Sequence, residues 1–154
     1  MGADAYWYYV AYDDDRDRAL QKLRQREFEA GRYYPVTTLF GDDFRQDYAT
    51  AAPSPGRQHD TIEEIFEDAM DMGTCSILDL FQASAGDEPG VAHIMEADEL
   101  VECFGTAQPT RDDIDRGIGT YWEKGPGVRG RGVCVPVYVD GTPSELFFMG
   151  YTWD

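Results

Sequence analysis

Gly132 to Asp154 is the stretch that most limits what this chain can become. Two runs of β-branched and aromatic residues, Val133 to Val139 and Glu145 to Tyr151, flank the loop Asp140-Gly141-Thr142-Pro143-Ser144. That is the pattern of a β-hairpin. Side chains alternate along a strand, so Val133, Val135, Val137 and Val139 share one face and need an apolar layer over them. Pro136 has no N–H to give to a ladder, which places strand 133–139 at a sheet edge or predicts a bulge there. The rest of the chain has to supply further strands and the helices that cover them.

Tyr6 to Tyr12 predicts the first strand. Both of its faces are aromatic or apolar, which suggests an inner strand covered on both sides. Asp13, Asp14 and Asp15 follow as N-cap candidates for a helix from about Arg16 to Ala30, stopped by Gly31. Ala19, Leu20, Leu23 and Ala30 form its apolar stripe, and Phe28 falls off that stripe toward a second element. Val36 to Phe40 predicts a short strand, and Ala49 to Gln58 an exposed loop. Thr61-Ile62-Glu63-Glu64 reads as a capping box that opens a helix with Ile62, Ile65, Phe66, Ala69 and Met70 on one side and Gly73 at its end. Cys75 to Phe81 predicts a strand, and Ala83 to Gly90 a polar loop. Ala97, Leu100, Val101 and Phe104 have helical spacing up to Gly105. Thr110 to Asp113 cap a further helix carrying Ile114 and Ile118, and Tyr121 to Gly132 reads as a glycine-rich loop.

With 154 residues, 42% of them hydrophobic and 14% aromatic, one domain with a real core is expected. The expected fold is a single α+β domain spanning 1–154. It has a mostly antiparallel sheet of four to five strands, two principal helices packed on one face, and the C-terminal hairpin. An uncovered edge in so aromatic a chain would invite self-pairing, so a homodimer is one expected way of covering it.

Charge narrows the partners. Thirty acidic residues oppose 13 basic ones, a formal net charge of -17, and the only lysines are Lys22 and Lys124. Such a surface repels nucleic acid and anionic membranes and attracts a basic protein or cations. Cys75, Cys103 and Cys134 are odd in number and widely spaced, with no C-x-x-C pair, and read as reduced cysteines. No signal-peptide pattern opens the chain, and no apolar run approaches membrane-spanning length, so a cytoplasmic protein is expected.

Two clusters could carry chemistry. Gly125-Pro126-Gly127-Val128-Arg129-Gly130 matches G-x-G-x-x-G by letter. A strand follows it where a dinucleotide fold needs a helix, and the motifs of a kinase are missing. Around it lies the only basic, aromatic stretch of the chain: Tyr121, Trp122, Lys124, Arg129 and Arg131. These residues could clamp a phosphate or carboxylate, since arginine presents a bidentate fork. His93, among apolar neighbours with Glu96 three residues on, joins them as a binding candidate or general base. His59, beside the capping box, reads as solvated.

The second cluster is acidic. Asp13, Asp15 and Asp17 have the spacing that opens an EF-hand loop, but Arg18 and Arg24 stand where that loop needs Gly and Glu. Val10-Ala11-Tyr12-Asp13-Asp14-Asp15, an apolar strand ending in D-x-D, resembles the nucleophile motif of haloacid-dehalogenase-type phosphatases. Gly41-Asp42 with Asp47 resembles the distal metal-binding motif of that family. The resemblance covers residues 10–17 and 41–47, and Arg16 and Asp17 replace the small residue and Thr/Val usual after the D-x-D. It implies a Mg²⁺ site at Asp13, Asp15 and Asp42 serving phosphoryl transfer.

The expected function is a small acidic binding protein without catalytic activity or cofactor. An immunity or inhibitor protein against a basic toxin or nuclease fits this profile. The alternatives are a Mg²⁺-dependent phosphoryl-transfer enzyme, a protein that binds an anionic small molecule, and an acidic surface that serves only solubility in salt.

Overall fold

The computed structural model describes residues 3, 5–35, 54–124 and 127–153. Among the described residues five strands form one sheet: β1 (Ala5–Ala11), β2 (Gln82–Ser84), β3 (Val91–Ile94), β4 (Gly132–Val139) and β5 (Thr142–Tyr151), in the order β1-β5-β4-β3-β2. Among the described residues the α-helices are α1 (Arg16–Ala30), α2 (Ile62–Ala69), α3 (Ala97–Phe104) and α4 (Arg111–Lys124). The protein is α+β, and none of these helices is long and apolar enough to cross a membrane.

The hairpin is the centre of the sheet. β4 and β5 pair antiparallel, with Asp140 (φ 51°) and Gly141 (φ 77°) between them. Two successive positive φ angles at Asp-Gly are what a two-residue turn matched to strand twist requires. β1 pairs antiparallel with β5 from Ala5–Tyr151 to Ala11–Glu145. It therefore stands at the end of the described sheet, not inside it, although both of its faces are covered.

The sheet is mixed, where a mostly antiparallel one was expected. β3 runs parallel to β4, and β2 parallel to β3. The reason is the connection. The chain leaves the end of β3, crosses the sheet through α3 and α4, and enters β4 from the same side, which forces parallel pairing. Pro136 sits where β3 has already ended, since β3 pairs only with Gly132, Val133 and Cys134. Cys134 O accepts from Met95 N and Tyr138 N donates to Pro109 O, so the even residues of β4 turn their backbone groups to that side. Proline is tolerated inside the sheet order because its ladder partner is missing there.

Helices cover both faces, where two on one face were expected. Tyr6, Tyr8, Cys134, Leu146 and Phe148 meet Ala19, Leu20 and Leu23 of α1. On the other face Val133, Val135, Val137, Phe147 and Met149 meet Leu100 of α3 with Ile114 and Trp122 of α4. Consecutive apolar residues on β5 demand cover on both sides, and each buried large side chain is worth about 1.5–3 kcal/mol. Val139, the last of the valine row, is 54% exposed. Phe28, Tyr33, Ile65 and Leu78 form a third cluster that joins α1 to α2.

Local chemistry sets the helix ends. Asp15 caps α1 by accepting from Arg18 N, and Gly31 (φ 73°) closes it. Thr61 accepts from Glu64 N, while Glu64 reaches back to Asp60 N, one residue beyond a regular capping box. α2 ends at Ala69, and a 3₁₀ turn, Met70–Met72, carries the chain to Gly73. The strand expected over Cys75 to Phe81 is absent. Ile77–Asp79 is a 3₁₀ turn in which Ser76 accepts from Leu78 N, and Asp79 accepts from the backbone and hydroxyl of Thr74. Such short polar side chains offer the backbone bonds that compete with a ladder. The strand expected at 36–40 lies outside the described residues.

Candidate functional site

β3 is short, and α3 begins two residues after it, so His93 near the end of β3 faces the first turn of α3. His93 Nε2 lies 2.7 Å from Glu99 Oε1. Its Nδ1 lies 3.0 Å from Ala85 O and 3.1 Å from Gly86 O, carbonyls of the loop that joins β2 to β3. Glu99 in turn accepts from Glu96 N at 2.9 Å, half of the capping box that starts α3. Both ring nitrogens thus face oxygen acceptors, the arrangement of a doubly protonated imidazolium. Burial works against that charge. The bond to Glu99, its carboxylate charge and the two carbonyls outweigh it and raise the His93 pKa above its ordinary value. Held at both ring nitrogens, His93 latches β3 and loop 85–90 to α3.

Beside this latch a cleft of about 390 Å³ opens between α3, α4 and the same loop. α3 contributes Glu99, Glu102 and Cys103, residues spaced i, i+3 and i+4 so that they share one face. α4 contributes Thr120, Tyr121 and Lys124 from its last turns, and the loop contributes Ala85 and Asp87. Burial, then the charges of Glu102 and Glu99, push the Cys103 thiol up, against a smaller opposing pull from Lys124. Burial also raises the Tyr121 phenol, helped by Glu99, Cys103 and Asp87 and opposed by Arg131. Past Tyr121 a recess of about 30 Å³ holds Trp122, Gly127 and Arg131.

His93, Tyr121, Trp122, Lys124 and Arg131, scattered in the sequence, are therefore neighbours around one cleft and its recess. Tyr121, Trp122 and Lys124 belong to the end of α4, where a glycine-rich loop was expected. Helical spacing puts Trp122 into the core, where its Nε1 points at Met149 Sδ (3.3 Å) and its ring meets Tyr151 edge-on. Arg131 donates to the carbonyl of Asp87. Arg129 is exposed and does not line the cleft. The carboxylate paired with His93 is Glu99, one helical turn beyond the expected Glu96. Glu99, Glu102, Cys103 and Asp87 were missed, and the polar stripe on α3 was the signal that could have found the first three.

The acidic cluster takes another form. Both oxygens of Asp13 are held by Arg18, at 2.6 and 2.9 Å, and Asp13 Oδ1 also accepts from Asp15 N. The Arg18 hydrogen bond, then the Asp15 N–H, hold the Asp13 carboxyl down at about 2. Asp15 is occupied as the cap of α1. Asp42 and Asp47 lie outside the described residues, and no group of three or more metal-ligating side chains occurs among the described ones. His59 is not solvated as expected: its ring bridges Tyr33 Oη (3.0 Å) and Asp68 (2.7 Å), with the side chain 10% exposed. Cys75 and Cys134 are buried and Cys103 half-buried, and none of the three forms a disulfide.

Comparisons with protein-family models, curated proteins and solved structures found no match.

Proposed function

We propose that this is a small acidic binding protein without catalytic activity, and that its partner is a basic protein. One observation carries the reading. The fold ties many of its arginines to its own acids and carbonyls, mostly at the surface, and leaves a larger set of acids exposed. Arg18 is bound to Asp13, Arg32 to the buried Glu27, Arg111 to Glu145 and Arg116 to Asp113. Arg16 and Arg24 donate to backbone carbonyls. Meanwhile Glu63, Glu67 and Asp68 of α2, Asp98 and Glu102 of α3, and Asp112, Asp115 and Glu123 of α4 are exposed. A surface of one sign steers an oppositely charged partner and rejects like-charged ones. An immunity or inhibitor protein that neutralises a basic toxin or nuclease fits that design as a class, as does a cytoplasmic homodimer formed through an outer strand.

The test is affinity capture from the host followed by reconstitution with the purified partner. The expected partner is basic, its affinity falls steeply with salt, and Asp98→Lys with Glu102→Lys weakens it about tenfold or more. A partner that is acidic, or whose affinity ignores salt, overturns the reading.

A second reading, an anionic ligand held by Lys124 and Arg131, draws support from their place at one cleft and its recess. The Mg²⁺-dependent phosphoryl-transfer reading draws less, because Arg18 already fills the coordination sites of Asp13.

A further inference from the structure

We infer that the cleft between α3, α4 and loop 85–90 is the seat for a cationic side chain, an arginine or lysine presented by the basic partner. The inference rests on the binding-protein reading and names where the partner anchors.

Size comes first. At about 390 Å³ the cleft lies within the range of about 300–1,000 Å³ typical of ligand sites. A long side chain has room to enter it.

The carboxylates come next. Elsewhere in this fold acids near a cation are tied to it, as Asp13, Asp113 and Glu145 are. In the cleft, Glu102 and Asp87 line the wall, and neither carboxylate has an ion-pair partner among the described residues. Two of the three basic groups nearby are already engaged. His93 gives one nitrogen to Glu99 and the other to two carbonyls. Arg131 gives its guanidinium to the Asp87 carbonyl, beyond Tyr121. Among the described residues that line the cleft Lys124 remains, an exposed cation on the last residue of α4 set against the two carboxylates of Asp87 and Glu102. Burial is the main cause of the raised Cys103 and Tyr121 groups, and the acids add to it against smaller opposing pulls from Lys124 and Arg131. After burial, what raises the Cys103 thiol is Glu102 and Glu99, and what raises the Tyr121 phenol includes Glu99 and Asp87.

Tyr121 supplies the third element. It is half-buried in the wall between the two helices. An aromatic ring beside two carboxylates is a suitable receptor for a guanidinium, which stacks on the ring and donates hydrogen bonds outward in its own plane. The latch built from His93 and Glu99 holds loop 85–90 against α3, so Asp87 and Glu102 face one space before any partner arrives.

The probe is a pentapeptide, Gly-Gly-Arg-Gly-Gly, blocked at both ends, with glutamate replacing arginine in the control. Binding is followed by amide chemical shifts at constant ionic strength. Saturable shifts confined to residues 85–87, 99–103 and 120–124, with a dissociation constant on the order of 1 mM, are expected. Asp87→Asn with Glu102→Gln, both at exposed positions, should weaken them about tenfold while the rest of the spectrum is unchanged. Shifts produced by the glutamate peptide or by inorganic phosphate instead would make this an anion site and overturn the inference. So would shifts spread over α2 to α4 that ignore the double variant, or no saturable shift at all. If the purified basic partner binds the double variant undiminished, the cleft is not its anchor and the binding-protein reading stands. If the arginine peptide fills the cleft but no basic partner exists, the cleft stands and that reading falls.

Discussion

Asp79 has no solvent exposure. Its Oδ1 accepts from Thr74 N at 2.7 Å and Thr74 Oγ1 at 2.8 Å, and its Oδ2 has no hydrogen-bond partner. Burial pushes its pKa up to about 7, against the pull of the Thr74 bonds. In the unfolded chain the same carboxyl ionises near the ordinary value of about 3.9. Between those two values the folded state holds the extra proton, so raising the pH favours unfolding. The stability this group contributes is therefore complete below about pH 4 and is lost as the pH rises to about 7, a span worth about 4 kcal/mol. Asp79→Asn keeps the acceptor for Thr74 and removes the titration. Chemical denaturation of both proteins from pH 4 to 8 should show the stability difference shifting steadily toward the variant up to about pH 7, then levelling. A constant difference across that range would mean that Asp79 ionises normally.

At the scale of elements, the α3–α4 pair builds the cleft, and Gly117 sets how closely the two helices meet. A Cβ added there would lie 2.6 Å from Cys103 O and 2.6 Å from a Phe104 ring carbon. Alanine is favoured over glycine inside a helix by about 1 kcal/mol. A backbone oxygen cannot rotate away, however, and overpacking of this kind costs typically about 1–3 kcal/mol. Gly117→Ala should therefore destabilise the protein by about 1 kcal/mol net. Gly119, on the same helix with nothing within 4 Å of an added Cβ, is the internal control. Gly119→Ala should stabilise by up to about 1 kcal/mol. Urea denaturation reads both, and equal effects at the two positions would show that α3 yields easily to α4. The β4–β5 hairpin differs in kind, since its geometry follows from a two-residue turn and a continuous ladder rather than from one close approach.

At the scale of the molecule, a net charge of -17 on a chain this small sets up self-repulsion. Salt shortens its reach, from about 30 Å at 0.01 M to about 3 Å at 1 M ionic strength. The melting temperature should therefore climb with NaCl over that range, and KCl should serve equally well. A flat profile would show that the ion pairs of Arg18, Arg111 and Arg116 balance the repulsion locally. The same salt should weaken binding of a basic partner. Under the proposed function, stability and binding respond to salt with opposite signs, and this separates an acidic surface built for binding from one that only confers solubility in salt.

How far the chain could be read in advance depended on the range of the forces involved. The ends of α1 followed from Asp15 and Gly31, and the end of α3 from Gly105, because a cap and its helix lie within a few residues of each other. The hairpin was legible for the same reason, since alternation and a Gly/Pro/Asp loop are local, although β5 begins at Thr142 where a loop through Ser144 was expected. The direction of β3 against β4 was not, since it depends on how α3 and α4 pack on the valine row before the chain returns. Nor was the turn at Ile77–Asp79, where Thr74, Ser76 and Asp79 claim the backbone bonds in a buried setting that no local pattern announces. His93 and Tyr121 could be picked out as chemically unusual, but their shared cleft with Glu99 and Glu102 could not. Residue type and spacing specify what each short segment prefers. Which segments meet is settled by burying two apolar faces at once, a contest fought between residues far apart along the chain.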